Sequence, residues 1–227
     1  LVRANLTELV LALARETPVD MALTTNGQRL AEMAGDLRRA GLRRVNISLD
    51  SLRPETFARL TRGGNLARTI AGIQTARREG LNPIKLNTVV MRGDNDGELS
   101  DFVHFALENA CQIRFLELMP IGCAKPIFHD RFVAGNEVRD RLEREFDLIP
   151  MGRAKGSSSH CFRLRDDHGR ETVLGLISPY SDSFCDSCQR LRLSSDGRLF
   201  ACLTHKTGFN IRPWLNDDSA ASREAIR

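Results

Sequence analysis

From the start of the chain to about Met119, short runs rich in β-branched residues alternate with longer segments of helical periodicity, and this alternation restricts the fold most strongly. A chain that repeats strand then helix builds a parallel sheet with the helices as crossovers. Strands are predicted at residues 21–25, 44–49, 84–90 and 113–119. Helices are predicted at 28–40, 66–78 and 98–109, with another at 5–15 ahead of the first strand. Four such repeats suit an open or closed barrel better than a sandwich.

After Pro120 the pattern changes to a Gly/Pro-containing loop, a charged helix near 136–146, a Gly/Ser-rich stretch at 156–159 and then β-rich sequence. Strands at 161–165 and 172–178 are expected, followed by a hairpin of 190–194 with 199–203 turning at Asp196-Gly197. This shift places the domain boundary, with residues 1–122 as one domain and 123–227 as an α+β domain.

The 227 residues are 41% hydrophobic, enough for a sizeable core. The net charge of +4 comes from nearly balanced acids and bases. That balance excludes a strongly basic nucleic-acid binder and suits a phosphorylated small molecule. No apolar run approaches the roughly 20 residues that span a bilayer. A cytoplasmic protein without membrane or nucleic-acid partners is therefore expected, and in a reducing cytoplasm clustered thiols point to metal ligands rather than disulfides.

Side chains on a strand alternate between faces. Asn46 and Ser48 therefore share a face of the second strand, and Lys85 and Asn87 share one on the third. Glu117 is expected to add a polar group from the fourth strand. Polar groups facing inward on several strands imply a lumen that holds a ligand, whereas solvated faces between helices are the alternative. Thr24-Thr25-Asn26-Gly27 ends the first strand, where it is either part of that site or a helix-entry turn.

Of the six cysteines, Cys185, Cys188 and Cys202 form a C-x2-C-x13-C pattern in which the hairpin returns the third thiol to the first two. A four-iron cluster held by three thiolates keeps one iron open to substrate, while His205 as a fourth ligand would make a structural zinc site. Arg190 and Arg192, two residues apart on a strand, are expected to share a face as phosphate ligands, with Leu191 and Leu193 packing on the other. Balancing the thiolates or facing solvent is their alternative role. Cys111, Cys123 and Cys161 are read as small packing residues.

Leu23-Thr24-Thr25-Asn26-Gly27, the segments 45–52 and 114–120, and the Cys185 to Leu203 stretch together resemble the GTP 3',8-cyclases of molybdenum cofactor biosynthesis, a radical S-adenosylmethionine (SAM) family. Gln189 stands where that family usually has Asn. The resemblance implies an incomplete (β/α)6 barrel with a C-terminal iron–sulfur domain closing its mouth. It implies SAM contacts at Ser48 and Met119, GTP contacts at Thr24, Lys85, Arg190, Leu191 and Arg192, and a 4Fe-4S cluster on Cys185, Cys188 and Cys202. A SAM-derived radical would abstract the ribose 3'-hydrogen of GTP, and the sugar radical would attack C8 of guanine. The family's C-x3-C-x2-C motif for a second cluster and its Gly-Gly-Glu-Pro are expected upstream of Leu1, and its Gly-Gly tail beyond Arg227. These 227 residues alone are thus expected to hold a cluster and GTP without cleaving SAM. The resemblance also implies cyclic pyranopterin monophosphate synthase as functional partner and allows a homodimer. A different radical SAM enzyme with an auxiliary cluster and a zinc-stabilised binding module are the competing readings.

Overall fold

A computed structural model describes residues 3–215, which fall into two compact units. The larger contains the chain through Phe184 apart from Lys155–Ser157, and the smaller joins those three residues to the chain from Cys185 onward.

In the large unit the elements run α1 (Leu6–Glu16), β1 (Ala22–Thr25), α2 (Leu30–Arg39), β2 (Arg44–Ser48), α3 (Pro54–Leu60), α4 (Leu66–Arg78), β3 (Ile84–Val90), α5 (Leu99–Glu108) and β4 (Gln112–Glu117). After a 3-10 turn at Gly122–Ile127 come α6 (Phe128–Arg131), α7 (Gly135–Leu142), β5 (Asp147–Gly152), β6 (His160–Arg165) and β7 (Glu171–Ile177). All seven strands form one sheet in the order β1-β2-β3-β4-β7-β6-β5. The pairs from β1 to β4 are parallel, as the strand–helix repeat requires, and β7 joins β4 in parallel. β6 and β5 then continue antiparallel.

The change of pattern after Pro120 thus marks a change of strand direction inside one sheet, not a break in it. β5 escapes the sequence pattern because Pro150 interrupts it and the pairing shifts between Pro150 and Gly152.

One face of the sheet is the core. Val45, Ile47, Leu86, Ile113, Phe115 and Leu174 are buried there with Leu30, Leu37, Ile73 and Phe102 of the helices. The helices begin where local chemistry allows: the Asn65 side chain accepts from Arg68 N at 3.0 Å and caps α4, and Pro54 opens α3. No helix among the described residues is long and apolar enough to cross a membrane.

The small unit holds a 3-10 turn at Cys185–Ser187, a three-stranded sheet of β8 (Arg192–Leu193), β9 (Arg198–Phe200) and β10 (Phe209–Asn210), and α8 (Arg212–Leu215). β8 and β9 form the expected hairpin at Asp196-Gly197, while β10 adds an edge strand that no sequence pattern announced.

Candidate functional site

In a parallel pair, residues in register project to the same side, so the strand register lays out the sheet's second face row by row. One row runs Thr24, Asn46, Lys85, Gln112 across β1 to β4. The next runs Ser48, Asn87, Arg114, Gly175, Cys161, Gly152 across β2, β3, β4, β7, β6 and β5. The expected polar face therefore exists, and its strand residues are half-buried against fully buried neighbours of opposite parity.

Glu117 is not on that face. It is 5% exposed on the core side of β4, where Oε1 accepts from Gly135 N at 2.8 Å and Oε2 from Tyr180 N and Ser181 N, both at 3.0 Å. The Ser181 hydroxyl donates to it as well. The carboxylate ties the end of β4 to the start of α7 and to the turn after β7. The polar group that β4 contributes to the second face is Arg114, whose opposite parity in the same strand was the available signal.

Arg114 lies over Gly175 for a steric reason. A Cβ on Gly175 would come 3.1 Å from Arg114 Cγ and 2.3 Å from Ser159 Oγ. Burial, and then repulsion from the Arg114 and Arg44 charges, push the Lys85 ammonium below its ordinary value. Lys85 and Arg114 thus make this face cationic, with Asp20 as a carboxylate nearby that pairs with Arg44. Asn87 Oδ1 on the same face is buried and accepts no hydrogen bond. An orphaned acceptor here fits a donor brought by a ligand.

Thr24 is exposed and accepts from Asn46 Nδ2 at 3.3 Å, keeping its place on the polar face. The rest of its tetrapeptide builds the turn. Thr25 Oγ1 accepts from Gly27 N, Asn26 Oδ1 accepts from Gln28 N, and Thr69 Oγ1 donates to the Asn26 carbonyl. The helix-entry turn is thus built by Thr25, Asn26 and Gly27, while Thr24 stays on the polar face. Ser48 ends β2 beside Asn87, and half-buried Met119 lies two residues beyond the end of β4. Two buried clamps that sequence reasoning missed hold the segment after β2 and the end of β3: Glu98 accepts from Ser51 Oγ and Leu52 N, and Asn95 Nδ2 donates to the carbonyls of Asp50 and Val89.

The remaining candidates lie in the small unit. Arg190 and Arg192 are half-buried, while Leu191 and Leu193 are 67% and 62% exposed. The expected packing of the two leucines is thus reversed among the described residues. A cleft of about 280 Å³ is lined by Arg192, Phe200, Cys202 and His205 among others. Hydrogen bonds from the Thr204 side chain and backbone, and then the Arg192 charge, hold the Cys202 thiol below its ordinary value. Cys185 opens the 3-10 turn, and Cys188 N donates to its carbonyl at 3.1 Å.

Among the described residues, no three Cys, His, Asp or Glu side chains converge as a metal ligand set. The three thiols share one unit without forming a preassembled site, and His205 does not complete one either. Of the other cysteines, Cys111 is buried, Cys161 half-buried on the polar face and Cys123 exposed, so the expected packing role suits Cys111 and fails for Cys123.

Residues 1–106 match the Radical SAM superfamily model and residues 111–227 the Molybdenum Cofactor Synthesis C model. A GTP 3',8-cyclase of Ectopseudomonas mendocina is 42% identical across all of this chain, which covers 69% of that relative. The chain belongs to the GTP 3',8-cyclase family. A cyclase of Marinobacter nauticus is 43% identical over 93% of the chain and 64% of its own length, so the chain spans about two thirds of these curated relatives. Streptococcus suis SuiB, at 12% identity, superposes with a TM-score of 0.58 over 90% of this chain and 49% of its own, a likeness of fold alone.

Proposed function

We propose that this chain carries the GTP-binding face of a GTP 3',8-cyclase, which converts GTP to 3',8-cyclo-7,8-dihydro-GTP in molybdenum cofactor biosynthesis. The observation that carries the reading is the cationic sheet face of Lys85 and Arg114 with the orphaned Asn87 acceptor, in a chain of this family. On this reading the sheet is the wall of an incomplete (β/α)6 barrel, and the segment holding Cys185, Cys188 and Cys202 supplies the ligands of a 4Fe-4S centre.

Lys85 neutralises phosphate oxygens, and Arg190 and Arg192 supply further guanidinium donors from the small unit. Thr24 and Leu191 contact the nucleoside. Ser48 and Met119, at the ends of β2 and β4, hold SAM, and Asn87 and Arg114 stand beside Ser48 as further polar contacts. When bound, SAM with its cluster supplies the carbon radical that removes the ribose 3'-hydrogen. The protein's own part is to keep C3' and C8 within reach of each other and to exclude water. A reducing cytoplasm suits such a centre, and cyclic pyranopterin monophosphate synthase would take the product.

Equilibrium binding of GTP and of guanosine tests the phosphate roles. Lys85→Met, Arg190→Ala and Arg192→Ala are each expected to weaken GTP by about 1.5–3 kcal/mol, the range for a hydrogen bond to a charged group, and to leave guanosine nearly unchanged. Equal losses for the two ligands would remove the phosphate assignment.

A further inference from the structure

Among its described residues the small unit has a thin apolar core, with Phe209 stacked on Trp214 at 5.0 Å between ring centres. Ile211, at 8% exposure, is the one buried apolar side chain among its described residues. Leu191, Leu193, Leu203, Phe209 and Leu215 are all more than half exposed. Its strands are two, three and two residues long. Isolated hairpins are marginal in water, and units below about 70 residues usually need a metal, disulfides, a partner or unusually good packing to fold. Cys185, Cys188 and Cys202 form no disulfide.

The large unit is fixed right up to its border. The turn after β7 is bound to Glu117 through Tyr180 N, Ser181 N and the Ser181 hydroxyl. Arg153 pairs with Asp182 and lies 5.8 Å from the centre of the Phe184 ring. One residue further on, at Cys185, the small unit begins.

We propose that the ligand set of Cys185, Cys188 and Cys202 is not preformed, and that residues 185–215 gain their tertiary order by binding a thiolate-ligated metal centre, with the Glu117-held turn as the fixed stem. This rests on the reading that these thiols ligate a metal. Three thiolates brought together without a cation repel one another, and among the described residues only Ile211 adds a buried apolar side chain to set against that repulsion. The binding free energy of the metal then becomes folding free energy of the unit.

Hydrogen exchange of the whole chain, followed by mass spectrometry under anaerobic conditions, tests the idea in three states: metal-free, with zinc alone, and with iron and sulfide. In the metal-free protein, peptides from 185–215 should exchange nearly as fast as an unfolded chain while β3 and β4 stay protected. Iron and sulfide should slow exchange in 185–215 by about tenfold or more and leave β3 and β4 unchanged. Cys185→Ser should abolish that gain with the large unit intact. Equal protection of 185–215 with and without bound metal would overturn the proposal, as would metal-induced protection that survives Cys185→Ser. Ordering by zinc and not by iron and sulfide would uphold coupled folding while sinking the iron–sulfur reading. Failure of either metal to bind would sink the thiol-ligand reading beneath it.

Discussion

Glu117 is the buried group whose removal should be felt most widely. Its carboxylate accepts from three backbone N–H groups and one hydroxyl, and the four donors come from the start of α7 and the turn after β7. A carboxylate suits this position because both oxygens face donors. In Glu117→Gln the amide keeps the shape, but one oxygen becomes an NH2 that confronts either Gly135 N or the Tyr180 and Ser181 pair. About two charge-assisted hydrogen bonds are lost, each worth roughly 1.5–3 kcal/mol, and the freed N–H groups are buried. Because neighbouring losses are not additive, we expect Glu117→Gln to lower stability by about 3 kcal/mol and Glu117→Ala by at least as much. Urea unfolding followed by far-ultraviolet circular dichroism measures this. A double-mutant cycle with Ser181→Ala should return a coupling of about 1 kcal/mol. A loss below about 1 kcal/mol for Glu117→Gln would refute the reasoning, since it would mean that the donors find other acceptors or water at little cost.

Other expected outcomes follow from single contacts. Gly175→Ala should lose about 1–3 kcal/mol in thermal denaturation, because its Cβ would meet Ser159 Oγ at 2.3 Å and displace the Arg114 stem. Burial raises the Asp50 carboxyl above its ordinary 3.8, opposed by the hydrogen bond from Val89 N. The folded state therefore disfavours the carboxylate, so this group's contribution is fully present below 3.8 and is lost as pH rises through the raised folded value. Asp50→Asn should accordingly be more stable than the native chain at neutral pH, with the advantage vanishing below 3.8 in paired denaturation curves. Burial pushes the Cys111 thiol up to about 12, so at mildly alkaline pH iodoacetamide should label Cys202 and spare Cys111 until the chain is unfolded, as peptide mapping would report.

What the sequence made legible was whatever depends on the period of a single element. β3 and α4 lie where their periodicity predicted, and the parity of Asn46, Ser48, Lys85 and Asn87 identified the polar face without any structure. Parity failed at Glu117 because β4 is polar on both faces, with Arg114 on one and Glu117 on the other, and only the cross-strand register says which is which. The small unit was legible as cysteine spacing but not as geometry. Spacing limits how far apart ligands can be along the chain, while their convergence depends on packing, and among the described residues of this unit only Ile211 is a buried apolar side chain.

The row from Ser48 to Gly152 shows how the two parts of the large unit serve one face. On the parallel side stand Ser48, Asn87 and Arg114; on the meander side stand Gly175, Cys161 and Gly152. Small residues next to a long one leave the Arg114 side chain room to lie across its neighbour strand, and Ser159 takes the space that a side chain on Gly175 would need. The meander is therefore more than an extension of the sheet edge. A side chain on Gly175 would press on the Arg114 stem, so this small residue of β7 sets where the guanidinium of β4 can lie.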